Sequence, residues 1–184
     1  MKRWLLLLFA FLLTSCASSA NSGQTGEIIQ TSLPDLGPAP EIKGDVWLNT
    51  PGPLRLADLH GKVVLVDMWT LGCINCQHVI PSLRGWHEKY ASQGLVVIGN
   101  HYPEFHYESQ LDNLKKAIDE LDVPYPVVQD NQGTNWQAFR SRAWPSLYLI
   151  DKQGRIRYVH IGEGAYSEIE AAIQALLSEP AQQS

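Results

Sequence analysis

Apolar positions in this chain fall into short unbroken runs separated by longer amphipathic stretches. Val63-Val64-Leu65-Val66, continuing through Asp67 to Met68-Trp69, is rich in β-branched residues, as expected of a central strand buried on both faces. Leu95-Val96-Val97-Ile98-Gly99 predicts a second buried strand, and a helix is expected between them from about Ile74 to Tyr90. Tyr107, Leu111, Leu114, Ile118 and Leu121 recur at helical spacing and predict one apolar helix face. Val127-Val128, a short helical stretch near Trp136–Arg140 and a strand Ser146–Ile150 follow. Asp151-Lys152-Gln153-Gly154 reads as a hairpin turn into Arg155–Ile161. A last helix is expected to open at Ser167, with Glu170 completing a capping box and Ile169, Ile173, Leu176 and Leu177 facing inward. Upstream, Asp45–Asn49 and Leu54–Leu56 flank Pro51-Gly52-Pro53 and predict an N-terminal strand pair. Strands alternating with helices, closed by a hairpin and a helix, indicate an α/β sandwich around a mixed sheet.

The first forty residues follow neither period. Met1-Lys2-Arg3 is basic, and the apolar run Trp4–Leu13 is too short for a membrane-spanning helix, which needs about 20 residues. The pattern fits a secretory signal peptide over residues 1–15. Its end, Leu13-Thr14-Ser15-Cys16, resembles the lipobox of bacterial lipoproteins, which implies lipid attachment at Cys16; the competing reading is an ordinary signal peptide with an incidental cysteine. Several acyl chains on one residue would anchor stably. Ala17 lacks the acidic inner-membrane retention signal, so the outer membrane is the expected destination in a Gram-negative cell. Residues 16–40, rich in Ser, Gly, Pro and Gln, are expected to form a tether, leaving residues 41–180 as one domain.

Composition narrows the function. The chain of 184 residues is 45% apolar and 18% charged, which excludes a disordered, collagen-like or coiled-coil chain. Its formal charge of -5 argues against a nucleic-acid partner. Three cysteines are too few for a disulfide-stapled scaffold.

Two of them form Cys73-Ile74-Asn75-Cys76, where a buried strand hands over to a helix. On a first helical turn the two sulfurs can bond reversibly, and the helix N-terminus favours a thiolate at Cys73. Cys76, further in, would be the resolving thiol. A zinc site would need further ligands from His78, His101 or His106, none at a knuckle spacing, and an inert disulfide across so short a span restrains little chain. A redox-active pair, needing neither cofactor nor resident metal, fits better.

Asp67, six residues before Cys73, is expensive to bury unless used. It is either an outward-facing strand residue or a buried acid of raised pKa that exchanges a proton with Cys76. Pro145, before the Ser146 strand, is an edge feature or a marker of a tight functional turn. Trp69 and Trp144 are candidates for an apolar rim, or else core. Glu104, His101 and His106 follow the second buried strand, at the end of the sheet where functional groups gather, or are solvated loop residues.

Val66-Asp67-Met68-Trp69-Thr70-Leu71-Gly72-Cys73-Ile74-Asn75-Cys76, together with Pro81 and Trp144-Pro145, resembles the thioredoxin superfamily over roughly residues 41–178. Leu54–Lys62 and an insertion of about residues 101–124 are similar to the TlpA-like, membrane-tethered branch. Trp69-Thr70, Cys73-Ile74-Asn75-Cys76, His101–Phe105 and Gly162-Glu163-Gly164 are particularly similar to DipZ-type domains. The resemblance implies a three-layer thioredoxin-like sandwich with a TlpA-type central insertion. It also implies a cis peptide at Pro145 facing the cysteines, a helix kinked at Pro81, and Ile74 and Asn75 tuning redox poise and meeting substrate. The expected partners are disulfide-containing exported proteins and a membrane electron donor of the CcdA/DsbD type. The expected activity is thiol–disulfide exchange that reduces protein disulfides, by Cys73 attack and Cys76 resolution. Two rivals stand beside it. One is a peroxiredoxin-like thiol peroxidase, whose motif would put proline where Val66 stands. The other is a Cu(I)-binding chaperone, for which Met1 and Met68 make a poor methionine set.

Overall fold

Residues 33–180 are described by a computed structural model; the expected signal peptide, the expected lipid site Cys16 and the first part of the expected tether lie outside the described residues. At its centre is β2 (Val63–Trp69), buried along its whole length, as an unbroken apolar run requires. It pairs in parallel with β3 (Leu95–His101) and antiparallel with β5 (Ser146–Ile150). β4 (Val127–Gln129) extends the sheet beyond β3, and β1 (Trp47–Leu48) closes that edge, while β6 (Ile156–Ile161) closes the other. The resulting order is β1-β4-β3-β2-β5-β6, with β1, β5 and β6 antiparallel to their neighbours.

Alternation along β2 divides the core between the two faces of the sheet. Val63, Leu65 and Trp69 pack with Val79, Ile80 and Leu83 of α1 (Ile74–Tyr90) and Ile169, Ile173 and Leu176 of α4 (Tyr166–Ser178). Leu114 and Ile118 of α2 (Leu111–Glu120) join the same cluster. Val64, Val66 and Met68 pack on the opposite face with Ile42, Phe139 and Tyr148, beside the short α3 (Thr134–Ala138). The three-layer α/β architecture matches the expectation, and Pro81 lies inside α1.

Four local expectations are corrected. The N-terminal strand pair does not form. Trp47-Leu48 pairs with Val127-Val128 instead, and Leu56–Leu59 is a 3-10 turn whose Leu56 and Ala57 N–H groups are taken by the Glu41 carboxylate. A carboxylate satisfying those donors removes the need for a partner strand.

The capping box at Ser167 is also absent. α4 begins at Tyr166 after Ala165, which has φ 50°, and the Glu170 side chain accepts from Lys89 Nζ and Tyr90 OH at 2.7 Å each. Two long-range donors thus capture the carboxylate that local spacing assigned to the helix N-terminus.

Tyr107 does not belong to the α2 face. It lies in a 3-10 turn, His106–Ser109, and is exposed.

The tether ends earlier than residue 40. Leu36 N–H donates to Ile156 O and Ile156 N–H to Gly37 O, both at 2.9 Å, so the segment lies along β6. Arg157 adds a 2.7 Å bond to Leu33 O and a 2.9 Å contact to Asp151. Composition reads Ser, Gly and Pro as coil and carries no information about an open sheet edge that such a segment can cover.

Candidate active site

The β2–α1 connection, Thr70–Gly72, delivers Cys73 to the N-cap of α1 in extended conformation. Cys73 is half-buried and Cys76 fully buried, and the two are joined by a disulfide with Cα atoms 5.3 Å apart. Cys73 Sγ also accepts from the Cys76 N–H at 3.2 Å, the bond an N-cap makes to the orphan donors of a first turn. The accessible sulfur therefore sits where helix N–H groups and the dipole stabilise negative charge, and no acidic side chain occupies that first turn.

Asp67 is the buried acid that the sequence suggested. It shares the face of β2 with Leu65 and Trp69, in the core that also holds Cys76, and is 1% exposed. Its Oδ1 has no hydrogen-bond partner, and burial raises its pKa to about 8. A carboxyl so placed is mostly protonated at neutral pH, and its ionised fraction can take a proton from a thiol and return it.

Register brings Pro145 to the same end of the sheet. Met68 is paired with Ser146, so Pro145 stands beside the end of β2 from which the cysteine loop departs. The Trp144–Pro145 peptide is cis, and Pro145 O accepts from Gly162 N–H at 2.8 Å.

The remaining candidates separate. Ile74, 60% exposed, and Asn75 are open to solvent between the cysteines. Trp69 is core, 1% exposed and edge-on to His101, and so cannot form a substrate rim. Trp144 is half-buried in an aromatic stack, with ring centroids 4.5 Å from Trp136 and 5.8 Å from Tyr102. Glu104 and His106 are exposed, whereas His101 is buried. His101 Nε2 accepts from Leu71 N–H at 3.3 Å, and burial lowers its pKa to about 4. Among the described residues no group of three or more His, Cys, Asp or Glu is placed to hold a metal ion.

The sequence pattern did not single out Glu108. Fully buried, it accepts from Thr70 Oγ1 at 2.8 Å, Gly72 N–H at 3.0 Å, Glu104 N–H at 2.6 Å and Phe105 N–H at 2.9 Å. Its neighbours in the chain are polar or exposed, so neither apolar period nor charge pattern distinguishes it from a solvated turn residue.

Residues 37–159 match the AhpC/TSA family. The chain belongs to it. The thioredoxin-like domain is similar to several proteins of known name. It is 44% identical over 150 residues to DipZ of Mycobacterium tuberculosis, covering 80% of this chain but only 22% of DipZ. It is 28% identical to the thiol-disulfide oxidoreductase YkuV of Bacillus subtilis over 77% of this chain and 95% of YkuV. The crystal structure of a thiol-disulfide isomerase from Corynebacterium glutamicum superposes with a TM-score of 0.68 at 32% identity, covering 77% of this chain and 98% of the other. The domain thus combines the thioredoxin fold with a cysteine pair at a helix N-terminus and a buried acid in the same core, the arrangement that thiol–disulfide exchange requires.

Proposed function

We propose that this protein reduces disulfides of exported proteins while tethered to a bacterial membrane through lipid on Cys16. The observation that carries the chemistry is the half-buried Cys73 at the α1 N-terminus, bonded to a fully buried Cys76 in the core that holds the proton-bearing Asp67.

In the reduced enzyme, Cys73 thiolate attacks one sulfur of the substrate disulfide. A mixed disulfide forms and the other substrate sulfur leaves as a thiolate, which takes up a proton. The ionised fraction of Asp67, present at neutral pH because its pKa of about 8 lies close by, takes the Cys76 proton. Cys76 then attacks Cys73 Sγ, closing the Cys73–Cys76 bond and releasing the second substrate sulfur as a thiolate that is protonated in turn. The substrate gains two electrons and the enzyme loses two. A dithiol donor, which we assign to a membrane protein of the CcdA/DsbD type, reverses the loss by the same exchange. Ile74 and Asn75 border the reacting sulfur and are the surface a substrate chain first meets.

The basic and apolar leader ending at Cys16 supports export and lipidation, and Ala17 supports the outer membrane as destination in a Gram-negative cell. Among the described residues no helix is long and apolar enough to cross a membrane.

The test is trapping. Cys76→Ser leaves the first step intact and removes the second, so mixed disulfides with exported proteins accumulate on Cys73; failure to trap any of them refutes the exchange mechanism. Cys16→Ala releases the protein from the membrane fraction, and retention there refutes the tether.

A further inference from the structure

Thr70–Gly72 is the only covalent link between the central strand and the nucleophile, and one buried carboxylate holds it. Glu108 Oε2 takes the Thr70 hydroxyl and the Glu104 and Phe105 N–H groups, while Oε1 takes the Gly72 N–H at 3.0 Å. The Tyr107 hydroxyl adds a 3.3 Å bond to Oε1. The approach is close enough to require glycine: a Cβ on Gly72 would collide with Glu108 Oε1 and the Tyr107 hydroxyl. An acidic group is thus seated against the residue preceding Cys73 by a set of donors drawn from two loops.

No cation accompanies it. None of the ion pairs among the described residues includes Glu108. Beside it, His101 is held neutral by burial, Tyr107 is an uncharged phenol and Glu104 points its own charge into solvent. Asp67, on the far side of Trp69 along β2, holds its proton at neutral pH. Burial works against ionisation of Glu108, but its hydrogen bonds from Phe105, Thr70, Glu104 and Gly72 outweigh that and keep its pKa below the ordinary carboxylate range. The net local charge behind Cys73 is therefore negative.

We infer that Glu108 is a positioning residue for Cys73 whose buried charge favours the disulfide over the thiolate form, making the domain a donor rather than an acceptor of electrons. The inference rests on the proposed disulfide reduction at Cys73 and gives its direction a structural cause. Two effects act together. The carboxylate occupies the Gly72 N–H, removing a donor that a neighbouring thiolate would use, and its charge, hydrogen-bonded to the residue before Cys73, repels the thiolate. A redox pair whose reduced form is stabilised is a strong oxidant; destabilising the thiolate works the other way and lowers the potential. The α1 N-terminus supplies thiolate stabilisation, and Glu108 limits how far it goes.

The test uses the whole protein and compares wild type, Glu108→Gln and Glu108→Asp. Three quantities are read: the Cys73 acid constant by thiolate absorbance, the reduction potential against glutathione at a pH above the thiol's own range, and the rate of protein disulfide reduction. Glu108→Gln keeps an acceptor but removes the charge. It is expected to strengthen the Cys73 acid about tenfold and to shift the redox equilibrium about tenfold towards the dithiol, a potential rise of ~30 mV. Glu108→Asp, which keeps the charge, is expected to stay nearer wild type. Unchanged acid constant and potential in a folded Glu108→Gln protein, with wild type active, overturn the inference and leave thiol–disulfide exchange standing. A wild type that reduces no disulfide overturns the exchange reading itself.

Should Glu108→Gln fail to fold, Thr70→Val carries the test. It removes one neutralising donor while keeping the charge, so the Cys73 acid weakens; a stronger or unaltered acid refutes the charge effect.

Discussion

Gly99 stands opposite Asp67 across the parallel β2–β3 pair, on the face of the sheet that α1 covers. A Cβ at Gly99 would lie 3.0 Å from Trp69 Nε1 and 3.4 Å from Tyr125 Cε2. The missing side chain leaves room for both rings in the core that also buries Asp67, and that burial raises the pKa of the acid. Gly99→Ala should force those rings apart and destabilise the fold by about 1–3 kcal/mol, read as a lower denaturant midpoint.

Asp67→Asn separates the fold from the chemistry. An unfolded aspartate loses its proton near 3.8, whereas the folded one keeps it until about pH 8. The folded state thus binds the extra proton between those values, and stability falls as pH rises through that window. Asparagine removes the loss. Thermal unfolding of Asp67→Asn should match wild type near pH 4 and show a stability gain on the order of a few kcal/mol at pH 7. Exchange should slow at neutral pH, because Cys76 loses the ionised fraction of Asp67 that takes its proton. A variant with wild-type rates would remove Asp67 from the mechanism.

Ile74 is exposed although it is a large apolar residue next to the reacting sulfur. Ile74→Ser should raise KM for protein disulfides roughly fivefold, the effect of losing one modest interface contact of about 1 kcal/mol. Reaction of Cys73 with a small disulfide reagent should change far less, since such a reagent makes no contact beyond the sulfur.

Arg157 fastens the segment before β1 to the domain. Its guanidinium contacts Asp151 at 2.9 Å and Glu179 at 3.3 Å and donates to Leu33 O at 2.7 Å. Arg157→Ala leaves the buried Asp151 without its counter-ion, and a loss of about 3 kcal/mol is expected. The same change should expose residues 33–40 to proteolysis, visible as an early cut upstream of Ile42.

Much of the site was legible because its chemistry is local. Cys73 and Cys76 share one helical turn, and a strand run followed by a helix run is enough to place Cys73 at the N-terminus of α1. Asp67 interrupts an otherwise apolar run, so its cost is visible before any fold is known. Trp69 and Glu104 illustrate the limit. Both are near the cysteines, but one is core and the other solvated, because the face and the loop that carry them are decided by packing.

By itself the sequence determined the alternation of strands and helices, the reactive pair and the anomalous acid, since each depends on residues within a few positions of one another. Only the tertiary structure decided that Glu108 holds the loop before Cys73, that the Glu170 side chain accepts from Lys89 and Tyr90 instead of capping α4, and that residues 33–40 cover β6. In all three cases a polar group is satisfied by donors or acceptors distant in sequence. Hydrogen-bond satisfaction is decided by what burial brings together, and local periodicity holds no record of it.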